Sequence, residues 1–142
     1  MEIVPFKADH LKTLLDAGAD PFLGLRVTEE RIKSLENGLN TFTGISDSGK
    51  ILICGGVIPF HQFRGEAWAV IDQNSKEDFV SIFNAAKTVL NACHLKRVEA
   101  FIAYDFDAGH RWINLLGFEL EVPRLKHYRP DGTDSSLYVR FN

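Results

Sequence analysis

The stretch from Arg97 to Phe118, RVEAFIAYDFDAGHRWINLLGF, constrains the fold more than any other part of the chain. Val98 to Tyr104 is a short run of apolar and aromatic residues, the composition of a buried strand. Ala108 to Leu116 follows with the period of a short helix, Trp112, Ile113, Leu115 and Leu116 forming its apolar side. Gly117 then stops that helix, because glycine takes the left-handed conformation after a last helical turn without a Cβ penalty. The chain can turn straight into Phe118 and a further strand. The unit is strand, helix, Gly-Phe, strand.

The remaining chain supplies elements on both sides of this unit. Glu2 to Phe6 reads as a strand, with Pro5 suited to its end or to an edge. Ala8 and Asp9 open a helix in which Asp9 is a candidate cap, Leu11, Leu14 and Leu15 form the buried stripe, and Gly18 is the stop. Ala19 to Arg26, with Asp20-Pro21 and Gly24, reads as a loop, and Thr28 caps a second helix from Glu29 to Glu36. Thr41 to Ser46 and Ile51 to Phe60 form a hairpin around Asp47-Ser48-Gly49-Lys50, and Gly55-Gly56 marks a bulge or a close backbone approach. After a loop through His61 to Gly65, Ala67 to Asp72 is a strand. Asn74 to Cys93 is the longest helix, with Phe79, Ile82, Phe83, Ala86, Leu90 and Cys93 inward. A strand, this helix and the strand from Val98 imply a parallel pair joined by a right-handed crossover. Gly117 to Leu125 and Ser136 to Phe141 close the chain as a hairpin turning at Pro130-Asp131-Gly132.

Charge and cysteine usage exclude several classes. A net charge of −3 disfavours a general nucleic-acid or anionic-membrane binder, and the basic group Arg124, Lys126, His127 and Arg129 reads as a solvated face. Cys54 and Cys93 lie in apolar contexts and read as reduced core residues of an intracellular, cytoplasmic protein. No cysteine–histidine spacing suits a metal, no run reaches membrane-spanning length, and the N-terminus lacks the pattern of a signal peptide.

The element order β, α, α, β, β, β, α, β, α, β, β, with Leu116-Gly117-Phe118 closing the short helix, resembles the GNAT superfamily of acyl-CoA-dependent N-acetyltransferases. The resemblance covers essentially the whole chain. It implies one α/β domain over residues 1–142, with a mixed, mostly antiparallel sheet and helices on both faces. It implies acetyl-CoA or CoA in a wedge between the strands flanking the long helix, with the pantetheine along Trp68, Val70, Ile71 and Asp72. The pyrophosphate would then meet Gln73, Ser75 and Lys76 at the start of the long helix, a place where backbone N–H groups and the helix dipole favour anions.

The family pattern in that loop is Arg/Gln-x-x-Gly-x-Gly/Ala, and from Gln73 it places Lys76 and Asp78 where glycines belong. No glycine occurs between Gly65 and Gly109. Ser75 with Asp78 reads as a capping box, which would satisfy the helix internally and set the carboxylates at Glu77 and Asp78 against a pyrophosphate. The tyrosine that many members carry four residues before Gly-Phe corresponds to Ile113, which donates no proton, so Tyr104 is the substitute acid. An asparagine earlier in that helix corresponds to Asp107, read as its cap. Candidate bases are Glu66, Asp72 and Glu99, with Glu66 the first choice, and His61 and His110 could border the cleft.

The tail, from Leu116-Gly117-Phe118-Glu119 through Arg129-Pro130-Asp131-Gly132-Thr133-Asp134 to Leu137-Tyr138-Val139-Arg140, resembles GNAT-like proteins of tailed bacteriophages. Some of those serve as internal virion or morphogenesis proteins. Two expectations follow. The first is a degenerate acetyltransferase fold, phage-encoded, that binds a partner such as a phage structural protein in the host cytoplasm or virion. The second is an active N-acetyltransferase moving acetyl directly from acetyl-CoA to a small amine or peptide, for which orientation of the reactants supplies much of the rate.

Overall fold

The computed structural model describes residues 1–19 and 28–142, so the loop expected around Asp20-Pro21 and Gly24 lies outside the described residues. Seven strands form one sheet in the order β1-β2-β3-β4-β5-β7-β6. They are β1 (Glu2–Pro5), β2 (Leu39–Ile45), β3 (Ile51–His61), β4 (Arg64–Ile71), β5 (Arg97–Ala103), β6 (Glu119–Leu125) and β7 (Ser135–Phe141). The helices are α1 (Ala8–Asp16), α2 (Glu29–Ser34), α3 (Phe79–Ala92) and α4 (Asp107–Leu115). Every strand pair is antiparallel except β4 with β5. The expected α/β sheet and its one parallel pair are therefore present.

Strand alternation divides the core. From β4, Trp68 and Val70 pack with Phe6, Leu11, Leu14, Ile32 and Leu35 beneath α1 and α2. Their neighbours Ala69 and Ile71 pack on the other face with Ile82 and Ala85 of α3. Beneath α3 and α4, Val98 and Ala100 of β5 meet Leu90, Ile113 and Leu116. The helices thus cover both faces, as expected.

Several local expectations are corrected. The β3–β4 connection is a tight turn at Gln62-Phe63, because β3 runs to His61 and β4 starts at Arg64, where a longer loop was expected. The β2–β3 register slips between Leu39 and Phe42, so the bulge lies in β2 opposite Gly56. Gly55 and Gly56 are the close approach: a Cβ on Gly56 would stand 2.7 Å from Thr41 Cγ2 and 2.9 Å from Thr41 Cα. Helix α3 begins at Phe79, after a single 3₁₀ turn over Lys76–Asp78. In that register Phe79 is exposed while Ile82, Ala85, Ala86 and Leu90 are buried. On α4, Leu115 faces solvent and Ile113 and Leu116 face the core.

Caps show where local patterns hold and where they yield. Thr28 accepts from the Arg31 N–H at 3.2 Å and caps α2 as expected. Asp9 does not cap α1; the cap position is Lys7, whose N–H donates to His10 Nδ1 at 3.3 Å, and Asp9 lies in the first turn. Asp107 likewise falls inside the first turn of α4, behind a cap position at Phe106. Gly117 has φ +89°, and the Phe118 N–H donates to the Ile113 carbonyl at 3.2 Å, which closes α4 as the sequence requires. Both cysteines are free and buried, and burial pushes the Cys54 thiol up to about 12.

Candidate active site

Strands β4 and β5 pair over only Arg64↔Arg97, Gly65↔Val98 and Glu66↔Glu99, then part. Beyond Glu66 the β5-facing edge of β4 has no ladder partner, so its backbone groups are open to a ligand. The side chains help the strands stay apart. Toward α3 and α4, β4 presents Ala67 and Ala69 and β5 presents Ala100, too small to fill the gap. A cleft of about 630 Å³ results, walled by Ile82, Ala86 and Leu90 of α3 and by Trp112, Ile113 and Leu116 of α4. The wall is overwhelmingly apolar, as in pockets that orient a ligand with few polar groups.

The expected cofactor residues divide by strand face. Trp68, Ile71, Asp72, Gln73, Ser75 and Lys76 all border the cleft, and Val70 does not. The Trp68 ring turns away to stack edge-on with Phe6 at 5.3 Å, leaving only the β4 backbone at that position for a ligand. Trp112 on α4 carries a buried indole N–H without a hydrogen-bond partner among the described residues.

At the mouth of the cleft the expected capping box is absent. The Ser75 hydroxyl donates instead to Asp72, which also pairs with Lys50 Nζ at 2.8 Å. Burial pushes the Asp72 carboxyl up, but the Lys50 and Ser75 hydrogen bonds outweigh it and hold the group below the usual carboxylate range. Asp72 is thus an ion-paired anchor between the β2–β3 turn and the start of α3, and it does not serve as a free base. No side chain caps α3, and neither Glu77 nor Asp78 borders the cleft, whereas Lys76 does. The start of α3 can therefore present its N–H groups and one cation to an anion.

On the opposite face, at the point where the strands part, lie two glutamates. Glu99 is buried and fully engaged: Arg64 donates to it from Nε and Nη2, both at 2.9 Å, and Arg97 Nε donates at 2.7 Å. Burial raises its carboxyl, and the two guanidiniums more than reverse that. Glu66 is half-buried and has no hydrogen bond or ion pair among the described residues. Burial first, and then the neighbouring Glu99 carboxylate, push Glu66 up to about 7, with Arg31 and Arg64 pulling the other way. Glu66 does not line the cleft itself; a carboxylate poised near neutral pH at the point where the strands part has the properties of a general base.

Tyr104 lies elsewhere. It borders a second depression with Asp107, His110 and Tyr138, on the opposite side of α4 from the cleft, and Arg124 sits 4.4 Å over its ring. Tyr104 follows the end of β5 and does not line the cleft itself, while its neighbour Asp105 borders both depressions. His110 is also structural: Nδ1 meets the Tyr138 hydroxyl at 2.7 Å and Nε2 meets the Tyr104 carbonyl at 2.9 Å. The second ring nitrogen donates to the carbonyl, so the first accepts from the tyrosine. His61 sits at the β3–β4 turn, where Nδ1 accepts from the Phe63 N–H at 3.2 Å.

Sequence reasoning missed Arg129 and Tyr128. Arg129 borders the cleft, whereas its neighbour Arg124 pairs with Asp134 at 2.6 Å and braces the β6–β7 connection. Tyr128 stacks on Phe101 with ring centroids 4.8 Å apart. The only sequence signal was their place in a basic, aromatic turn.

No protein-family model matches this sequence, and no curated protein matches it significantly. Solved structures do match it in fold. Ard1 from Thermoplasma volcanium superposes with a TM-score of 0.78 at 14% identity, covering 99% of this chain and 96% of that one. The F149A mutant of the spermidine N-acetyltransferase SpeG from Vibrio cholerae superposes with a TM-score of 0.69 at 12% identity, covering 99% and 95%. With its splayed parallel pair and crossover helix, this chain has the GNAT acetyltransferase fold.

Proposed function

We propose that this chain, folded as one domain over residues 1–142, is an acetyl-CoA-dependent N-acetyltransferase acting on an amine by direct transfer in the cytoplasm. One observation carries the reading: Glu66, a carboxylate with no hydrogen bond or ion pair among the described residues and pushed up to about 7, stands where β4 and β5 part. In this reading the open β4 edge from Trp68 to Asp72 holds the pantetheine. Gln73, Ser75 and Lys76 receive the pyrophosphate at the uncapped start of α3. Glu66 takes the proton of the amine, whose nitrogen then attacks the acetyl carbon. The cofactor fits the residues present, since the cleft is apolar, open along one strand edge and bordered at its mouth by Lys76 and the uncapped start of α3.

The test is isothermal titration of the protein with acetyl-CoA and with CoA, alongside Lys76→Glu. Saturable binding that weakens about fivefold in the variant is expected, as roughly 1 kcal/mol follows from changing one exposed charge near a phosphate. Absence of heat at millimolar ligand overturns the reading. It favours a second one, motivated by Ile113 and by the glycine-free loop: a phage-encoded protein that keeps the fold for binding or virion assembly.

A further inference from the structure

Resting on the acetyltransferase reading, the path of the donor along β4 fixes where its thioester lies. From Ile71 back to Ala67 the strand spans about 13 Å at ~3.3 Å per residue, the reach of an extended pantetheine. With the pyrophosphate at the start of α3, the thioester comes to Glu66 and Ala67, where the strands part. The cleft does not end there.

Alternation puts Glu66 and Ala67 on opposite faces of the sheet. Glu66 lies on the face of Glu99, while Ala67 and, across the split, Ala100 face α3 and α4. Behind these two alanines the cleft is bordered by Val57, Leu90, Leu116 and Phe118, and all six residues belong to one apolar cluster. Val57, Leu90, Ala100, Leu116 and Phe118 are at most 7% exposed. This inner end is therefore enclosed, whereas the mouth carries the exposed Gln73 and Lys76. None of the six side chains has a polar atom that could hold a water, and an enclosed apolar space of this kind stays dry and takes an apolar guest. An acetyl group offers it one methyl. A longer acyl chain would continue from the thioester into it.

We propose that the natural donor is a short- to medium-chain acyl-CoA, its alkyl tail passing between Ala67 and Ala100 to lie against Leu90, Leu116 and Phe118. The two faces of the sheet then divide the work. The amine and its base meet the thioester carbon from the side of Glu66, and the tail is held on the side of α3 and α4. Glu66 takes one proton of the ammonium, the nitrogen forms the C–N bond, and the C–S electron pair leaves on sulfur, which takes a proton from solvent. The second proton of the nitrogen goes to water. Products are the acyl amide, the free thiol and one proton.

The test uses the whole protein with n-butylamine at high concentration, which bypasses acceptor recognition, and follows thiol release from acetyl-, butanoyl- and hexanoyl-CoA. Burying one methylene is worth about fourfold (about 0.8 kcal/mol), and ordering the chain removes part of that. Hexanoyl-CoA is expected to exceed acetyl-CoA in kcat/KM by about tenfold or more, with butanoyl-CoA between them. Ala67→Val and Ala100→Val add methyl groups at the entrance to the enclosed end. At least one of them should cut the hexanoyl-to-acetyl ratio by about fivefold or more, and a ratio is insensitive to any loss of folded protein. The wild-type series stands without the variants: a hexanoyl advantage under about tenfold overturns the donor assignment. A smaller change of the ratio in both variants puts the tail elsewhere and overturns the placement. In either case wild-type turnover of acetyl-CoA leaves the acetyltransferase reading standing. No thiol release from any of the three donors overturns the reading and the donor assignment together.

Discussion

Strands β4 and β5 each begin with an arginine followed two residues later by a glutamate, Arg64-x-Glu66 and Arg97-x-Glu99, and the parallel register sets like against like. Their fates are opposite. Both guanidiniums turn to Glu99, which becomes an ion-paired anchor at the base of the split, and Glu66 has no partner among the described residues. Neighbouring strands explain part of the asymmetry. Strand β5 lies inside the sheet beside β7, and Arg97 is held over that side by Glu121 of β6, whereas β4 beyond Glu66 has only the opening gap. One glutamate ties the strands together where they pair. The other waits where they part, with the first one's charge helping to keep it protonated.

The sharpest way to break this comparison is to neutralise the two carboxylates separately and ask which loss is chemical. Glu66→Gln keeps shape and burial but cannot accept the amine proton, so turnover of acetyl-CoA with n-butylamine should fall about 10²–10⁴-fold. Acetyl-CoA affinity by titration should stay unchanged. A variant with more than a third of wild-type turnover would remove Glu66 from the mechanism. In the wild type, kcat should rise with pH through about 7, where Glu66 loses its proton, and level off above it.

Glu99→Gln should act on the fold. It leaves Arg64 and Arg97 facing a neutral amide, and removing one member of a buried charge group costs several kcal/mol when the remaining charge cannot reach water. Arg64 and Arg97 side chains are 43% and 29% exposed, so they can partly resolvate. A loss of about 2 kcal/mol is expected, equivalent to a Tm lower by roughly 4–8 °C in a chain of this size. Urea denaturation measures it. A change below about 0.5 kcal/mol would mean that the strands are held together without the ion pairs.

The parts of the molecule set by local rules were legible in the sequence. Gly117 after Leu116 announced the end of α4, Thr28 announced α2, and the order of strands and helices announced the sheet with its parallel pair. The parts set by competition between distant residues were not. Ser75 and Asp78 have the spacing of a capping box, yet Ser75 is claimed by Asp72, which Lys50 of the β2–β3 turn has already drawn in. Periodicity placed Phe79 in the core, but in the first turn of α3 it borders the open cleft and stacks on Phe83, so its face is right and its cover is missing. Glu66 was legible as a carboxylate on the right strand. That it would be the member of two identical Arg-x-Glu patterns left unpaired among the described residues was not, because the choice is made across strands. Tyr104 and Tyr128 show the same limit: their positions depend on which side of α4 and of the sheet the chain passes.

The smallest predicted effect is also the one that tests the two glutamates against each other. Glu66 has a folded value of about 7 against an ordinary 4.5, so the folded protein binds this proton more tightly than the unfolded chain does. Its contribution is intact below the ordinary value, declines as pH rises toward 7, and becomes a constant cost above it. The ceiling of that cost is about 3 kcal/mol, at 1.36 kcal/mol per pH unit, and water at the half-buried carboxyl brings it to roughly 1–2 kcal/mol. Glu66→Gln should therefore stabilise the protein by that amount at pH 8 and leave it unchanged at pH 4. Glu99 is held below its ordinary value, so its contribution is present at neutral pH and is lost as acid protonates it. Glu99→Gln should accordingly be most destabilising at pH 8 and least in acid. Opposite signs at pH 8, converging on acidification, are what urea titrations of the two variants should show. Equal signs would mean that Glu66 has a partner in solution, and the base would then have to be sought elsewhere.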